Sequence, residues 1–207
     1  MIIKFFVFLK RLSSGIGTRI STLICKKRFG SVGIGTRIRS HCLLKGDSLN
    51  SVKIGSGCYI DAYNVIECSA RLVENGKTVF PELTIGNGCN LGEYNHITAV
   101  KRIVIGNNLL TGRFVLISDN AHGRFEIEEL DTPPSHRDIV SKGEVVIGNN
   151  VWLGDKVSVL PGVHIGDGCI IGANSVVTHD IPPHCMAAGI PAIVIRQIAS
   201  LRKDNYK

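Results

Sequence analysis

His122 is the residue of this chain best placed to move a proton. It closes the hexad Ile117-Ser118-Asp119-Asn120-Ala121-His122, immediately before a long segment that interrupts the surrounding repeat. An imidazole titrates near about 6.5, so a modestly desolvated one is neutral at pH 7 and accepts a hydroxyl proton. A stiff support beneath it and a covering segment above would fix its position and exclude water. Asp119, at the same turn, could hold the ring in one tautomer. A lone corner histidine is more often a solvated surface residue; the adjoining insertion is what argues for chemistry. The rivals are less well placed. His136 lies inside the insertion, His96 and His164 fall at sixth positions of other hexads, and His179 and His184 lie towards the carboxyl end. They show no metal-ligand spacing, and neither do the seven cysteines, so no metal is expected. Trp152 is the single tryptophan and also sits at a sixth, outward-facing position. An exposed indole beside the insertion suits ligand stacking, or packing on the insertion or on a neighbouring subunit.

The support for these side chains is legible as a period. Ile-Gly recurs at 16–17, 34–35, 54–55, 85–86, 105–106, 147–148 and 165–166, with spacings of 18, 20, 31, 20, 42 and 18 residues. Within these units the period falls to six: Ile147, Leu153, Val159, Ile165, Ile171 and Val177 follow one another, with a glycine after most of them. Such a hexad is a short strand plus a corner, and three hexads make one coil of a parallel β-helix. Spacings beyond eighteen residues measure insertions, which places excursions at about 72–84 and at 123–146. The repeated GIGTRI at 15–20 and 33–38 carries the register to the amino end, where Arg28 and Gly46 fall on core positions and irregularity is expected. The domain reading is a capping segment over 1–14, a β-helix over 15–192, and a short helix and tail over 193–207.

Composition narrows the function classes. The 207 residues are 44% apolar and 20% charged, as suits one globular unit with a sizeable core. Cys58, Cys89 and Cys169 occupy fifth positions of their hexads, where a small side chain fits a tight corner. Buried free thiols of this kind suit a reduced, cytoplasmic setting. The net charge of +7 suits an anionic partner such as a nucleotide phosphate. The basic residues form no aromatic-interleaved stripe, which argues against nucleic acid. The opening MIIKFFVFLKRL is too short to span a bilayer and lacks a cleavage site. Residues 1–12 therefore read either as a cap over the open end of the β-helix or as an interfacial helix giving weak peripheral membrane association.

The run 145–198, VVIGNNVWLGDKVSVLPGVHIGDGCIIGANSVVTHDIPPHCMAAGIPAIVIRQI, resembles the carboxyl half of hexapeptide-repeat acyltransferases. That family includes galactoside, maltose and serine acetyltransferases and O-acetyltransferases of surface polysaccharides. The resemblance implies an all-β fold, a left-handed parallel β-helix, and a homotrimer holding acetyl-CoA between adjacent subunits. It implies His122 as the base that deprotonates an acceptor hydroxyl, with direct attack on the thioester. It implies Asn95 in EYNHIT as an acceptor ligand and Trp152 beside the CoA arm. It further implies backbone amides near Gly154 and Ala173 on the thioester oxygen and pantetheine, with Thr178, His179 and Arg196 at the 3′-phosphate ADP end. His179 stands where the family often has lysine, and SDNAHG departs from the His-Pro of the sugar enzymes towards capsule and O-antigen acetyltransferases. The expected function is acetyl-CoA-dependent O-acetylation of a sugar or sugar-nucleotide for a surface polysaccharide, in the cytoplasm or at the inner face of its membrane. The alternatives are N-acetylation of an amino sugar, a serine acetyltransferase-like reaction, a non-catalytic trimeric β-helix, and a zinc β-helix enzyme, which the missing histidine partners disfavour.

Overall fold

Ile147 and Val151, Leu153 and Val157, and Ile165 and Cys169 are all buried, so the first and fifth positions of each hexad point inward. Two inward residues per six, with a turn after each pair, bend the chain through three short strands per coil. In the computed structural model the backbone is described for residues 2–124 and 126–198, and side chains from residue 15 onward. Among the described residues the strands stack into three parallel sheets. Sheet A holds Ser31–Val32, Val52–Ile54, Glu82–Ile85, Arg102–Ile105, Val145–Ile147 and His164–Ile165. Sheet B runs from Arg37–Ile38 through Tyr59–Ile60, Asn90–Leu91, Leu110–Thr111, Trp152–Leu153 and Ile170–Ile171 to Cys185–Gly189. Sheet C stacks Leu43–Lys45, Val65–Cys68, His96–Ala99, Leu116–Ser118, Ser158–Val159 and Val176–Val177. The chain visits A, B and C in turn, so the three sheets wall a prism whose interior is the core.

The edges of the prism are held differently. Between sheets A and B, side-chain oxygens of Asn87, Asn107, Asn149 and Asp167 each accept the amide of the residue one coil below, at 2.7–2.9 Å. Between B and C the corner residue is left-handed, with φ of 62° at Tyr63 and Tyr94 and 57° at Phe114. Their rings stack in a ladder with His41, at centroid separations of 4.9–5.2 Å, and remain exposed. Left-handed backbone at these bulky residues costs on the order of 1 kcal/mol each, and ring stacking offsets part of it. The third edge, between C and A, carries both excursions. The first leaves after Cys68 and folds as an antiparallel hairpin, Val73–Glu74 on Lys77–Thr78. Its return strand already begins at Glu82, so the excursion lies slightly earlier than the repeat arithmetic places it.

Both ends depart from the expected boundaries. Residues 15–28 do not form a coil; they belong to a single helix, α1, spanning Ile2–Arg28. The first GIGTRI is helical and the second forms the first coil, with Thr36 and Ile38 buried. Continuing the coil register upstream would bury Arg28, an unpaired charge in an apolar core, whereas the helix leaves Arg28 in solvent and turns Cys25 and Phe29 inward instead. At the other end, the expected helix after residue 192 begins as a strand, Ala192–Gln197, antiparallel to Cys185–Gly189. The β-branched Ile193, Val194 and Ile195 favour that pairing, which covers the edge the last coil would otherwise leave open. Residues 199–207 lie outside the described part of the chain.

The two copies of GIGTRI provide a test. A methyl group on Gly33 would lie 2.5 Å from backbone atoms of Gly55 and Ser56 in the next coil, whereas on Gly17 its nearest neighbour is Ser40 Oγ at 3.6 Å. Gly33→Ala is expected to cost about 1–3 kcal/mol through forced separation of coils. Gly17→Ala should be neutral, or stabilising by up to about 1 kcal/mol, through helix propensity. Thermal unfolding of the two variants checks the opposite signs.

Candidate active site

The coil ends and the flap begins at Asp119. This side chain is fully buried, and its carboxylate accepts the backbone amides of Val100 (2.9 Å), Lys101 (2.8 Å) and Arg102 (2.8 Å) in the coil below. Asn120 Nδ2 adds a bond at 3.2 Å. The expectation that Asp119 orients His122 is therefore corrected: its oxygens are committed to a turn whose three converging amides need an anion to satisfy them. Lys101, on that same turn, reaches out to Glu74 of the hairpin at 2.7 Å.

His122 stands just outside the coil. Ala121–His122 pairs antiparallel with Ile139–Val140, His122 opposite Ile139, and this two-stranded ladder clamps the neck of the flap. The flap turns through short 3₁₀ segments at Ile127–Glu129 and Pro134–His136. Arg137 Nε closes on the Thr132 carbonyl at 2.9 Å, and the Gly123 amide bonds Asp138 O at 2.7 Å. Gly123 has φ of 76° and lies so close beneath Arg137 and Glu129 that a Cβ there would meet each at 2.6 Å. The imidazole is exposed at this neck. Beside it a cavity of about 310 Å³ lies between the two excursions. Leu72, Val73 and Glu74 line one wall; Arg124, Asp138 and Ile139 line the other. The hairpin wall was missed in reading the sequence, although a signal existed: both excess lengths leave the same edge, two coils apart.

The other candidate residues are dispersed around the prism. Asn95 is 2% exposed and occupies a fifth position, so it points inward. Its Oδ1 accepts the Val115 amide at 2.8 Å, and its Nδ2 donates to Gly92 O at 3.1 Å and Thr111 Oγ1 at 2.7 Å. Its role as an acceptor ligand is thus replaced by a structural one, since every polar atom of the amide is spent on the corners of its own and adjacent coils. Trp152 stands on the outer face of sheet B, 49% exposed. It lies in a row of paired residues across that sheet, with Leu110 on one side and Ile170, Met186 and Arg196 in turn on the other. Three strand spacings separate Trp152 from Arg196, roughly 14 Å. Arg196 overhangs a pocket of about 150 Å³ lined by Ile170 and Met186.

Gly154 and Ala173 stack at the edge between sheets B and C, with Ala173 N only 2.7 Å from where a Gly154 Cβ would be. The Gly154 amide already donates to Ile171 O at 2.9 Å, which removes it as a ligand donor. The exposed Ala173 carries no such bond on its amide. Thr178 and His179 lie on the opposite edge, between C and A, with Thr178 Oγ1 and His179 Nδ1 2.7 Å apart. His96 lies half-buried on sheet C, 3.9 Å from Glu67, and burial pushes its pKa below the usual imidazole value. No cluster of metal-binding side chains occurs among the described residues.

The outer face of sheet B and the edge that bears the flap are opposite sides of one prism. Trp152 and Arg196 therefore cannot meet His122 within a single chain. Bringing them together requires a second copy.

Residues 144–179 match the family model described as bacterial transferase hexapeptide (six repeats). Its hexad coils are similar to those of the hexapeptide-repeat transferases over this segment, and its fold is a left-handed parallel β-helix. It is 41% identical over 109 residues to galactoside O-acetyltransferase of Escherichia coli (strain K12), covering 50% of this chain and 48% of that protein. It is also 41% identical over 103 residues to the putative lipopolysaccharide biosynthesis O-acetyl transferase WbbJ of the same organism, covering 48% of this chain and 52% of that one. The chain thus spans about half the length of the curated relatives it matches. A solved galactoside acetyltransferase in complex with coenzyme A aligns with a TM-score of 0.57 at 26% identity, covering 86% of this chain and 70% of that one.

The reassignment of Asp119 has a measurable consequence. Asp119→Ala leaves buried amides without acceptors and should lower stability by about 3 kcal/mol. For a chain of this size that is roughly 6–12 °C in melting temperature. A variant of unchanged stability but reduced turnover would return Asp119 to the role of positioning His122.

Proposed function

We propose that this protein is an acetyl-CoA-dependent O-acetyltransferase, active as a homotrimer, that acetylates a hydroxyl of a sugar or sugar-nucleotide destined for a surface polysaccharide. The observation that carries the reading is the row on sheet B: an exposed indole, two apolar side chains, and a guanidinium at the far end. An extended arm with an apolar middle and a phosphate at one end fits that row, with Arg196 on the phosphate. The coenzyme A named with the solved relative and the O-acetylation named for both curated relatives support the same chemistry.

In this reading the neck of one flap reaches the sheet B face of the next subunit. His122 accepts the proton of the acceptor hydroxyl as its oxygen bonds to the thioester carbonyl carbon. The carbon–sulfur bond then breaks, and the thiolate takes the proton back from the imidazolium, leaving ester and free thiol. The unpaired Ala173 amide is the backbone donor available to the carbonyl oxygen as charge develops there. Thr178 and His179 share the edge of the flap, so they would serve a nucleotide bound across the interface from the sheet B row. The cavity between hairpin and flap is the acceptor pocket, its walls carrying Arg124, Glu74 and Asp138 for polar recognition. Of the two edges able to face the axis of such a ring, the one between B and C carries the exposed aromatic ladder, which suits burial against a second copy.

Three measurements test this. His122→Ala should reduce thiol release from acetyl-CoA by at least about 100-fold with the trimer intact; unchanged release would remove His122 from the mechanism. Trp152→Ala should raise KM for acetyl-CoA by about tenfold, the loss of one stacking contact, with little change in kcat. Sedimentation of Tyr94→Asp should show dissociation towards monomer, and a variant that remains trimeric would place the interface on another edge.

A further inference from the structure

Helix α1 is docked the wrong way round for an amphipathic helix. Such helices bury their apolar stripe against the protein and leave polar residues outside. Here Ser21 Oγ donates to Arg39 O at 2.9 Å, Thr22 Oγ1 accepts the Ile38 amide at 2.9 Å, and Cys25 and Phe29 supply the buried contact. At 100° per residue, Ile16, Ile20, Leu23 and Ile24 then fall on the side opposite that docking face. All four are 50–59% exposed. On the flank of this stripe, a groove of about 650 Å³ separates the helix from the first two coils. Arg19 and Lys26 of the helix and Arg37 and Arg39 of the coils converge on it, and its lining includes no carboxylate. Arg39 is paired with Asp61 at 3.1 Å, whereas Arg19, Lys26 and Arg37 have no anionic partner among the described residues.

We propose that α1 is a membrane-surface helix. Its outward stripe enters the headgroup region of an anionic bilayer, and Arg19, Lys26 and Arg37 hold lipid phosphates. The stripe is apolar where the described residues offer it nothing to pack on, and the cations beside it repel one another unless an anion lies between them. A second copy of this chain is the weaker occupant, because it would bring the same excess of positive charge to a face already positive. No described helix is long and apolar enough to cross a bilayer, so the helix lies in the surface plane. The proposal does not depend on the acetyltransferase reading: the full-length protein can bind vesicles whatever reaction it performs.

The experiment is co-sedimentation of the full-length protein with phosphatidylcholine vesicles, with and without phosphatidylglycerol, across a salt series. The protein is expected to partition onto the anionic vesicles and to be released by salt. Leu23→Asp combined with Ile20→Asp should reduce partition at least about tenfold, while oligomeric state and thermal unfolding stay unchanged. Arg19→Ala and Lys26→Ala should each weaken it by about fivefold and flatten the salt dependence. As an independent readout, Leu23→Trp should show an emission blue shift on adding anionic vesicles beyond that of the parent protein. Three outcomes overturn the proposal. The first is partition unaffected by the Ile20 and Leu23 substitutions. The second is a change of oligomeric state in those variants, which would make the stripe an interface between copies. The third is saturable binding of inorganic phosphate without any vesicle partition, which would make the groove a soluble-anion site.

Discussion

Coils of this β-helix lie one strand spacing apart, about 4.8 Å, and everything else in the molecule is subordinate to that distance. It leaves no room at the corners between sheets A and B, where glycine follows the inward aliphatic at Gly55, Gly86, Gly106 and Gly148 and a Cβ would meet atoms of the next coil within 3 Å. It also fixes where polar groups go. Each corner must satisfy its amides from the coil above or below, which is why Asn87, Asn107 and Asn149 form one ladder and Asn64 and Asn95 another. A segment too long for the coil cannot be absorbed within the stack. It has to leave sideways, and both long segments leave by the same edge.

Asp119 is where the stack and the excursions are joined. Its buried carboxylate tightens the turn at 100–102, the one short crossing of that edge between the hairpin and the flap. Lys101 on this turn holds Glu74 of the hairpin, and the strand following Asn120 holds the neck of the flap. The two walls of the candidate acceptor cavity are thus positioned from a single buried anion. His122 inherits its position from this arrangement without a direct bond to that carboxylate, through the backbone ladder opposite Ile139.

The prism also separates its candidate functional groups by direction. One face offers a flat apolar row ending in a cation, the opposite edge offers an imidazole under a flap, and the basal helix offers an apolar stripe beside cations. A single chain cannot bring the first two together, because its own core lies between them. The cyclic assembly proposed above would join them without any change of fold, each copy supplying one half-site to each neighbour.

Much of this was written in the residue types. The six-residue period determined three strands per coil, the inward first and fifth positions, the outward placement of Trp152 and the number of long excursions, because each follows from counting along a stiff repeat. The same counting assigns Asn95 to the interior, although resemblance to relatives suggested a ligand. Other features depended on contacts between residues distant in the chain. GIGTRI is a helix at 15–20 and a coil at 33–38, because only the second copy has Gly55 and Ser56 stacked on it and a register that keeps charge out of the core. The strand at Ala192–Gln197 exists because an unpaired edge lay beside it. Asp119 faces the turn rather than the imidazole because three amides from a coil some eighteen residues earlier converge there. Periodicity along the chain specifies which side of a coil a residue faces, but the partner across the stack decides what that residue does.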